Sequence, residues 1–413
     1  MITPSFAITA TERILPKLAL TFMSASLDSR ITLTRSGATA TRTNSSGLIE
    51  SVAADTARFD YDPVTLAIKG LLIEDTTDNI ALSSENFSTA DWGGGNYTAT
   101  ADVVTAPTGT TVGNSFVEDT ATSFHYFQNA ASYTTSAGSY TASVYLKSKS
   151  ANRRLVIREG ISTGAYATFD PDTGTIAGSG GGGTGIINNV GNGWYRCQMT
   201  FTASAGTNVA SFQMWLVPNN STAIASYTGD GTSGVYIWGA QLELNAVATS
   251  YIKTTSAAVT RNADVAVMTG TNFSSWWTAV NGAVAVKYIT GTVSGIRPVI
   301  EFDDNTANES IALRGNATNP ELYIVDGGSD QAQIDAGTIA INTTYTLVGA
   351  WNTNDCAAAI NGNAAVTDDT ATMPTVTQAR LGSDGTNYLN GWLQTIRYWP
   401  QRIINAETQA FSK

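Results

Sequence analysis

Ser139-Tyr140-Thr141-Ala142-Ser143-Val144-Tyr145-Leu146 is the stretch on which the fold turns. It is rich in residues that suit a pleated surface, and successive side chains of an extended chain point to opposite faces of a sheet. Shorter runs of the same kind surround it: Val156-Ile157-Arg158, Tyr166 to Phe169, Ala210 to Val217 and Val235 to Trp238. Asp170-Pro171-Asp172-Thr173-Gly174 separates two of them as a turn, because proline presets φ and glycine accepts positive φ. Glycine-rich Ser179 to Gly185 reads as an exposed loop. Many short strands with such turns predict an antiparallel β-sandwich over residues 81–253, with connections long enough for a jelly roll.

Downstream, residues 254–264 are small and polar and read as a linker. A second sandwich is expected over 265–413. Its strands include Val284 to Tyr288, Val299 to Phe302, Glu321 to Val325, Tyr345 to Trp351 and Trp392 to Trp399. Asn361-Gly362 between two apolar runs signals a two-residue hairpin turn. Upstream, Pro16 interrupts any helical stripe, so residues 1–30 read as an irregular arm. Short strand-like runs follow to Asp62. The fold class is therefore all-β: two antiparallel jelly-roll or β-sandwich modules preceded by an irregular N-terminal attachment region, residues 1–80.

The 413 residues carry a formal net charge of −11, and only 13% of them are charged. An average soluble protein has about 25% charged residues. Nucleic-acid binding needs a basic footprint, and Arg153-Arg154 with Arg158 is too short to provide one. An anionic membrane would repel the chain. No run approaches the roughly 18 apolar residues of a membrane span. The first residues, Met1 to Phe6, lack a basic and then apolar leader, so no signal peptide is expected. Two cysteines, Cys197 and Cys356, lie in different modules and do not define a disulfide framework.

Several strings resemble the carbohydrate-binding-type jelly roll of phage fibre proteins. They are Val117-Glu118-Asp119-Thr120 with His125-Tyr126, Gly191-Asn192-Gly193-Trp194-Tyr195-Arg196-Cys197, Tyr227-Thr228-Gly229-Asp230-Gly231 and Ile237-Trp238-Gly239-Ala240-Gln241-Leu242-Glu243. Asp28 to Arg35, Arg58 to Pro63 and Gly70 to Glu74 resemble the head of the same proteins. The C-terminal module resembles concanavalin A-like, laminin-G-type lectin domains through Thr346-Leu347-Val348, Trp351 and Asn390-Gly391-Trp392-Leu393. The resemblance implies a phage virion structural protein, a fibre or a capsid or tail decoration. Its N-terminal region would dock to other virion proteins and its β-modules would face host surface polysaccharide. A homo-oligomer, a trimer by analogy, is also implied. Two other readings stay open: a purely structural clamp that binds no glycan, and a glycan depolymerase.

The candidate chemistry favours binding over catalysis, and the chain is read as no enzyme. His125 is the single histidine and sits in a strand-like run, where a packed, hydrogen-bonded role is expected. Cys197 is expected to be buried and inert. Glu301-Phe302-Asp303-Asp304-Asn305 puts positions 301, 303 and 305 on one strand face, as paired carboxylates of glycanases require, but position 305 is Asn. No cofactor is expected. Clustered oxygens at Glu301, Asp303 and Asp304 leave calcium as the open alternative. Sugars stack on aromatic rings, and there are nine tryptophans. Trp194, Trp215 and Trp238 lie within strands and read mostly as core. Trp92 and Tyr97 flank Gly93-Gly94-Gly95, read as an exposed loop, and are the preferred sugar contacts. Trp277, beside Trp276 in an expected strand, is the next.

Overall fold

A computed structural model describes residues 15–37, 40–129, 136–150, 152–160, 163–206 and 212–413. Residues 1–14 of the expected arm, and Ala210-Ser211 of one expected strand, lie outside the described residues. The all-β expectation holds. Two sandwiches account for nearly all the strands.

The middle sandwich packs two six-stranded antiparallel sheets. One has the strand order Thr184–Asn189, Trp194–Ala203, Gly138–Ser148, Gly234–Glu243, Thr111–Glu118, Tyr97–Thr105. The other runs Thr175–Gly180, Tyr166–Asp170, Arg153–Glu159, Phe212–Pro218, His125–Asn129, Trp92–Gly95. Their inner faces bury Phe116, Phe127, Val144, Leu155, Met199 and Leu216 in one apolar core. The glycine run expected as a loop instead finishes one strand at Gly180 and crosses, by a turn at Gly181-Gly182, to a strand of the other sheet. A Cβ at Gly183 would meet the Tyr166 backbone at 2.6 Å, so the absence of side chains is what lets the corner close.

The C-terminal sandwich is where the described N-terminal residues belong. Leu18–Thr21 pairs with Gly391–Trp399, Phe59–Tyr61 and Ile68–Ile73 extend the same eight-stranded sheet, and Thr32–Thr34 edges the facing seven-stranded sheet. This corrects the irregular character expected of the N-terminal region: from Leu18 on it contributes strands of the sandwich. Leu18, Leu20, Phe22, Leu33, Leu71 and Ile73 all lie in the core of that sandwich. Their strands are only 3–6 residues long. Each is a poor strand alone; Leu18–Thr21, Thr32–Thr34 and Ile68–Ile73 pair with partners more than 200 residues away in sequence, which local pattern cannot reveal, and Phe59–Tyr61 joins the sheet through Ile68–Ile73.

The middle sandwich is therefore inserted into the other. Thr77–Asn79 enters it and pairs antiparallel with Val259–Arg261, which leaves it. Around this two-stranded stem lies a buried ionic cluster. The Arg35 guanidinium donates to Asp264 Oδ1 at 2.8 Å, and Arg58 bridges Asp264 and Glu74. Arg261 reaches Glu74 Oε2 at 2.7 Å, and the Ser250 backbone N–H donates to Glu74 Oε1 at 2.7 Å. Burial alone would raise the Glu74 carboxyl, but Arg261 and Arg58 outweigh it and hold it at about 2. Residues 35–74 meet residues 250–264 here, and the supposed linker carries two of the cluster's charges.

Asn361 and Gly362 take the positive φ values of 48° and 80° that a tight turn needs. The ladder resumes only at Val366, however, paired with Ala358. The expected two-residue hairpin is thus a longer loop. The C-terminal helix Asn405–Phe411 holds it open: Gly362 N–H donates to Ser412 Oγ, and Gln409 Nε2 donates to the Gly362 carbonyl. Among the described residues no helix is long and apolar enough to cross a membrane.

Candidate functional site

The expected sugar contacts are displaced inward. Trp92 is 4% exposed, its ring 4.9 Å from Phe87 and 5.3 Å from Phe127, and its Nε1 donates to the Ser83 carbonyl. The glycines after it form an edge strand and not a loop. A Cβ at Gly94 would sit 2.0 Å from the Tyr126 carbonyl oxygen, so the triplet permits close strand approach. Tyr97 is half-buried with its ring stacked on Phe127. Trp277 follows the short helix Thr271–Ser274 and is not in a strand, so both Trp276 and Trp277 turn inward. Trp277 packs between Phe273, Trp351 and Tyr398, 5.1–5.9 Å away.

The carboxylate candidates are also committed elsewhere. Asp303 is buried, paired to Arg380 Nε at 2.9 Å, and it accepts from Gln378 Nε2 and the Asn305 N–H. Asp304 accepts from the Thr306 N–H and hydroxyl, which closes its own turn. No group of three or more metal-ligating side chains occurs among the described residues. Glu301 lies beside Asp303 without an ion pair. Burial, with Asp384 and Asp303 nearby, pushes its carboxyl up to about 8. The folded state therefore binds this proton more tightly than the unfolded chain does. The associated stability is full below about pH 4.5 and is lost as pH rises through 8. Glu301→Gln is expected to flatten that part of the melting-temperature-versus-pH curve; an unchanged slope between pH 5 and 9 would count against the buried-acid assignment.

His125 is fully buried, with Nδ1 2.6 Å from the Asn96 carbonyl oxygen and Nε2 3.4 Å from that of Tyr227. It is a strand histidine held by backbone, as expected. Cys197 and Cys356 are buried and unpaired, and burial raises both thiols, Cys356 to about 11.

A half-buried aromatic surface lies on the outer face of the sheet that contains His125–Asn129 and Phe212–Pro218. Phe212, Met214 and Leu216 point inward, which leaves Gln213 and Trp215 outward. Tyr126 stands directly opposite Trp215 across the strand pair. The two rings stack at 4.3 Å and 15°. Phe124, 41% exposed, meets Trp215 edge-on at 5.4 Å.

A polar row runs beside the rings. Gln128 lies opposite Gln213, which lies opposite Arg158. Gln213 Oε1 accepts from Arg158 Nη1 at 2.9 Å and from Trp215 Nε1 at 3.1 Å, and its amide donates to Gln128 Oε1 at 2.9 Å. The Trp215 indole is thereby fixed in orientation. Gly93 and Gly95 pair with Gln128 and Tyr126 on the outer strand and add no side chain over them. On the far side Thr222 forms a wall, its carbonyl accepting from Thr168 Oγ1 at 2.7 Å. The result is a rigid ring pair beside a row of amide and guanidinium groups. Trp215 was readable in principle, because its two-residue spacing from Gln213 puts it on the face opposite Met214. A tryptophan inside a strand reads as core until its polar neighbours are counted.

No family model matches this chain, and no curated protein does. Several solved structures are similar at low identity. The CBM40 of a Ruminococcus gnavus IT-sialidase, bound to α2,3-sialyllactose, is 13% identical with a TM-score of 0.29 and covers 33% of this chain and 84% of that one. Domain 4 of AbnA, an extracellular arabinanase of Geobacillus stearothermophilus, in complex with arabinotriose, is 12% identical with a TM-score of 0.28 and covers 41% and 84%. A heptameric SAP-like pentraxin from Limulus polyphemus is 11% identical with a TM-score of 0.26 and covers 33% and 70%.

Proposed function

We propose that this chain is a saccharide-binding protein whose contact surface is the Trp215–Tyr126 face of the middle sandwich. The observation that carries the reading is the stacked, half-buried ring pair on the outer face of the sheet, held against the Gln128–Gln213–Arg158 row in which Gln213 is itself buried. A sugar ring presents C–H groups to an aromatic face and hydroxyls at its edge, which match rings and amides side by side. Resemblance of the sequence to phage fibre proteins supports a finer reading. In it the chain is a virion fibre or decoration subunit, assembled as a homo-oligomer, that grips host surface polysaccharide. Oligomerisation would multiply weak single sites into firm attachment.

A glycan array followed by titration calorimetry tests the site. Trp215→Ala is expected to weaken binding about thirtyfold, equivalent to about 2 kcal/mol, with little change in melting temperature because the ring is outside the core. Glycan binding that is indifferent to both Trp215→Ala and Tyr126→Ala would reject this face. Absence of any glycan ligand would leave the structural-clamp role. Labelled protein tested on host cells before and after periodate oxidation of their glycans checks the adhesion reading. Detection of the chain in purified particles checks its place in the virion.

A further inference from the structure

The two sandwiches enclose a second, chemically different space. A cleft of about 580 Å³ lies between the outer face of the Trp194–Ala203 sheet and the strands Phe59–Tyr61, Ile68–Ile73 and Gly391–Trp399. Small-ligand sites commonly span about 300–1,000 Å³ and favour domain interfaces.

Two cations line it without an ion pair to any described carboxylate: Lys69 from one sandwich and Arg196 from the other. The Lys69 ammonium lies 3.0 Å from the centroid of the Trp392 ring. The Arg196 guanidinium sits over Tyr145, makes one long bond of 3.4 Å to Ser143 Oγ, and leaves its buried Nε without a partner. The acids of the cleft are committed elsewhere. Asp60 accepts from the Thr43 N–H and Trp392 Nε1, Asp62 caps its turn through the Val64 and Thr65 N–H groups, and Glu74 belongs to the stem cluster. Glu243, which feels Arg196, accepts from Thr249. Burial holds the Lys69 ammonium down at about 8, only partly offset by Asp60 and Asp62. A partly desolvated cation with no hydrogen-bonded anion is a costly arrangement that an anionic ligand would relieve.

The wall also carries amides and hydroxyls, including Asn188, Gln198, Asn342 and Thr43, beside apolar side chains such as Ile68, Ile186 and Ile289. We infer that the inter-sandwich cleft binds a carboxylated saccharide, its carboxylate held by Lys69 and Arg196 and its hydroxyls by the surrounding amides. This site is independent of the Trp215 face. A simple inorganic anion would engage the cations but leave the amides and most of the volume unused.

The test is ligand-observed NMR on the full chain with D-galacturonate, D-glucuronate and N-acetylneuraminate as probes, and D-glucose and inorganic phosphate as controls. At least one acidic sugar is expected to bind at least tenfold more tightly than either control. Lys69→Met and Arg196→Met should each weaken it tenfold or more, Arg196→Lys should restore part of the loss, and Trp215→Ala should change nothing. Because Arg196→Met could disturb the sandwich, Asn188→Ala at an exposed strand position supplies a second variant that trims only the hydroxyl contacts and should weaken the sugar threefold or more. No binding of any acidic sugar, equal binding of phosphate, or acidic-sugar binding lost with Trp215→Ala would each overturn the inference.

Discussion

Asp264→Ala should destabilise the protein by about 3–5 kcal/mol, the typical cost of breaking a buried ion pair from one side. Asp264 is fully buried and accepts from Arg35, from Arg58 and from the Glu74 N–H. Its removal leaves the buried Arg35 with no carboxylate partner and Arg58 sharing Glu74 with Arg261. The unpaired charges dominate this cost; the Coulomb energy of the native cluster is a smaller matter, since desolvation offsets most of it. Urea unfolding followed by tryptophan fluorescence measures the shift. A loss below about 1 kcal/mol would mean that water enters the cluster and screens it. The damage should centre on the C-terminal sandwich and the stem. The saccharide binding proposed for the Trp215 face should survive in the folded fraction.

Trp92→Ala is expected to cost about 3–5 kcal/mol, the range for a large aromatic removed from a packed core. Its indole fills the end of the middle sandwich among Phe87, Phe127 and Phe212, and its N–H has a buried partner in Ser83. The substitution would remove the ring and one of the two donors to the Ser83 carbonyl, which keeps the Asn86 N–H. Any loss of saccharide binding in this variant should therefore track lost folding. Calorimetric unfolding and binding measured on the same sample separate the two. Unchanged stability with selective loss of binding would return Trp92 to the contact surface.

These two residues show where sequence was informative and where it was not. The strand at Ser139–Leu146 was legible from its pattern, and Tyr140, Ala142, Val144 and Leu146 line the main core while Tyr145 turns to the opposite face. Period-two patterning is local, and so it survives in the sequence. The glycine triplet after Trp92 misled because glycine marks both loops and close strand contacts, and only the position of Tyr126 tells which. Arg35, Arg58, Glu74, Arg261 and Asp264 were invisible as a unit. Each reads as a solvated surface charge, and their partners are supplied by topology. The membership of Leu18–Thr21 in the last sheet was hidden for the same reason.

The stem has a mechanical consequence. Thr77–Asn79 runs out to the middle sandwich and Val259–Arg261 runs back beside it. A tug applied to the middle sandwich draws on both chains together and in the same sense, each carrying about half the load. The rungs between them are neither sheared nor peeled. A single tether at this point would bear the whole tension alone; a doubled one lets the outer module be hauled upon while its seat in the host sandwich stays intact.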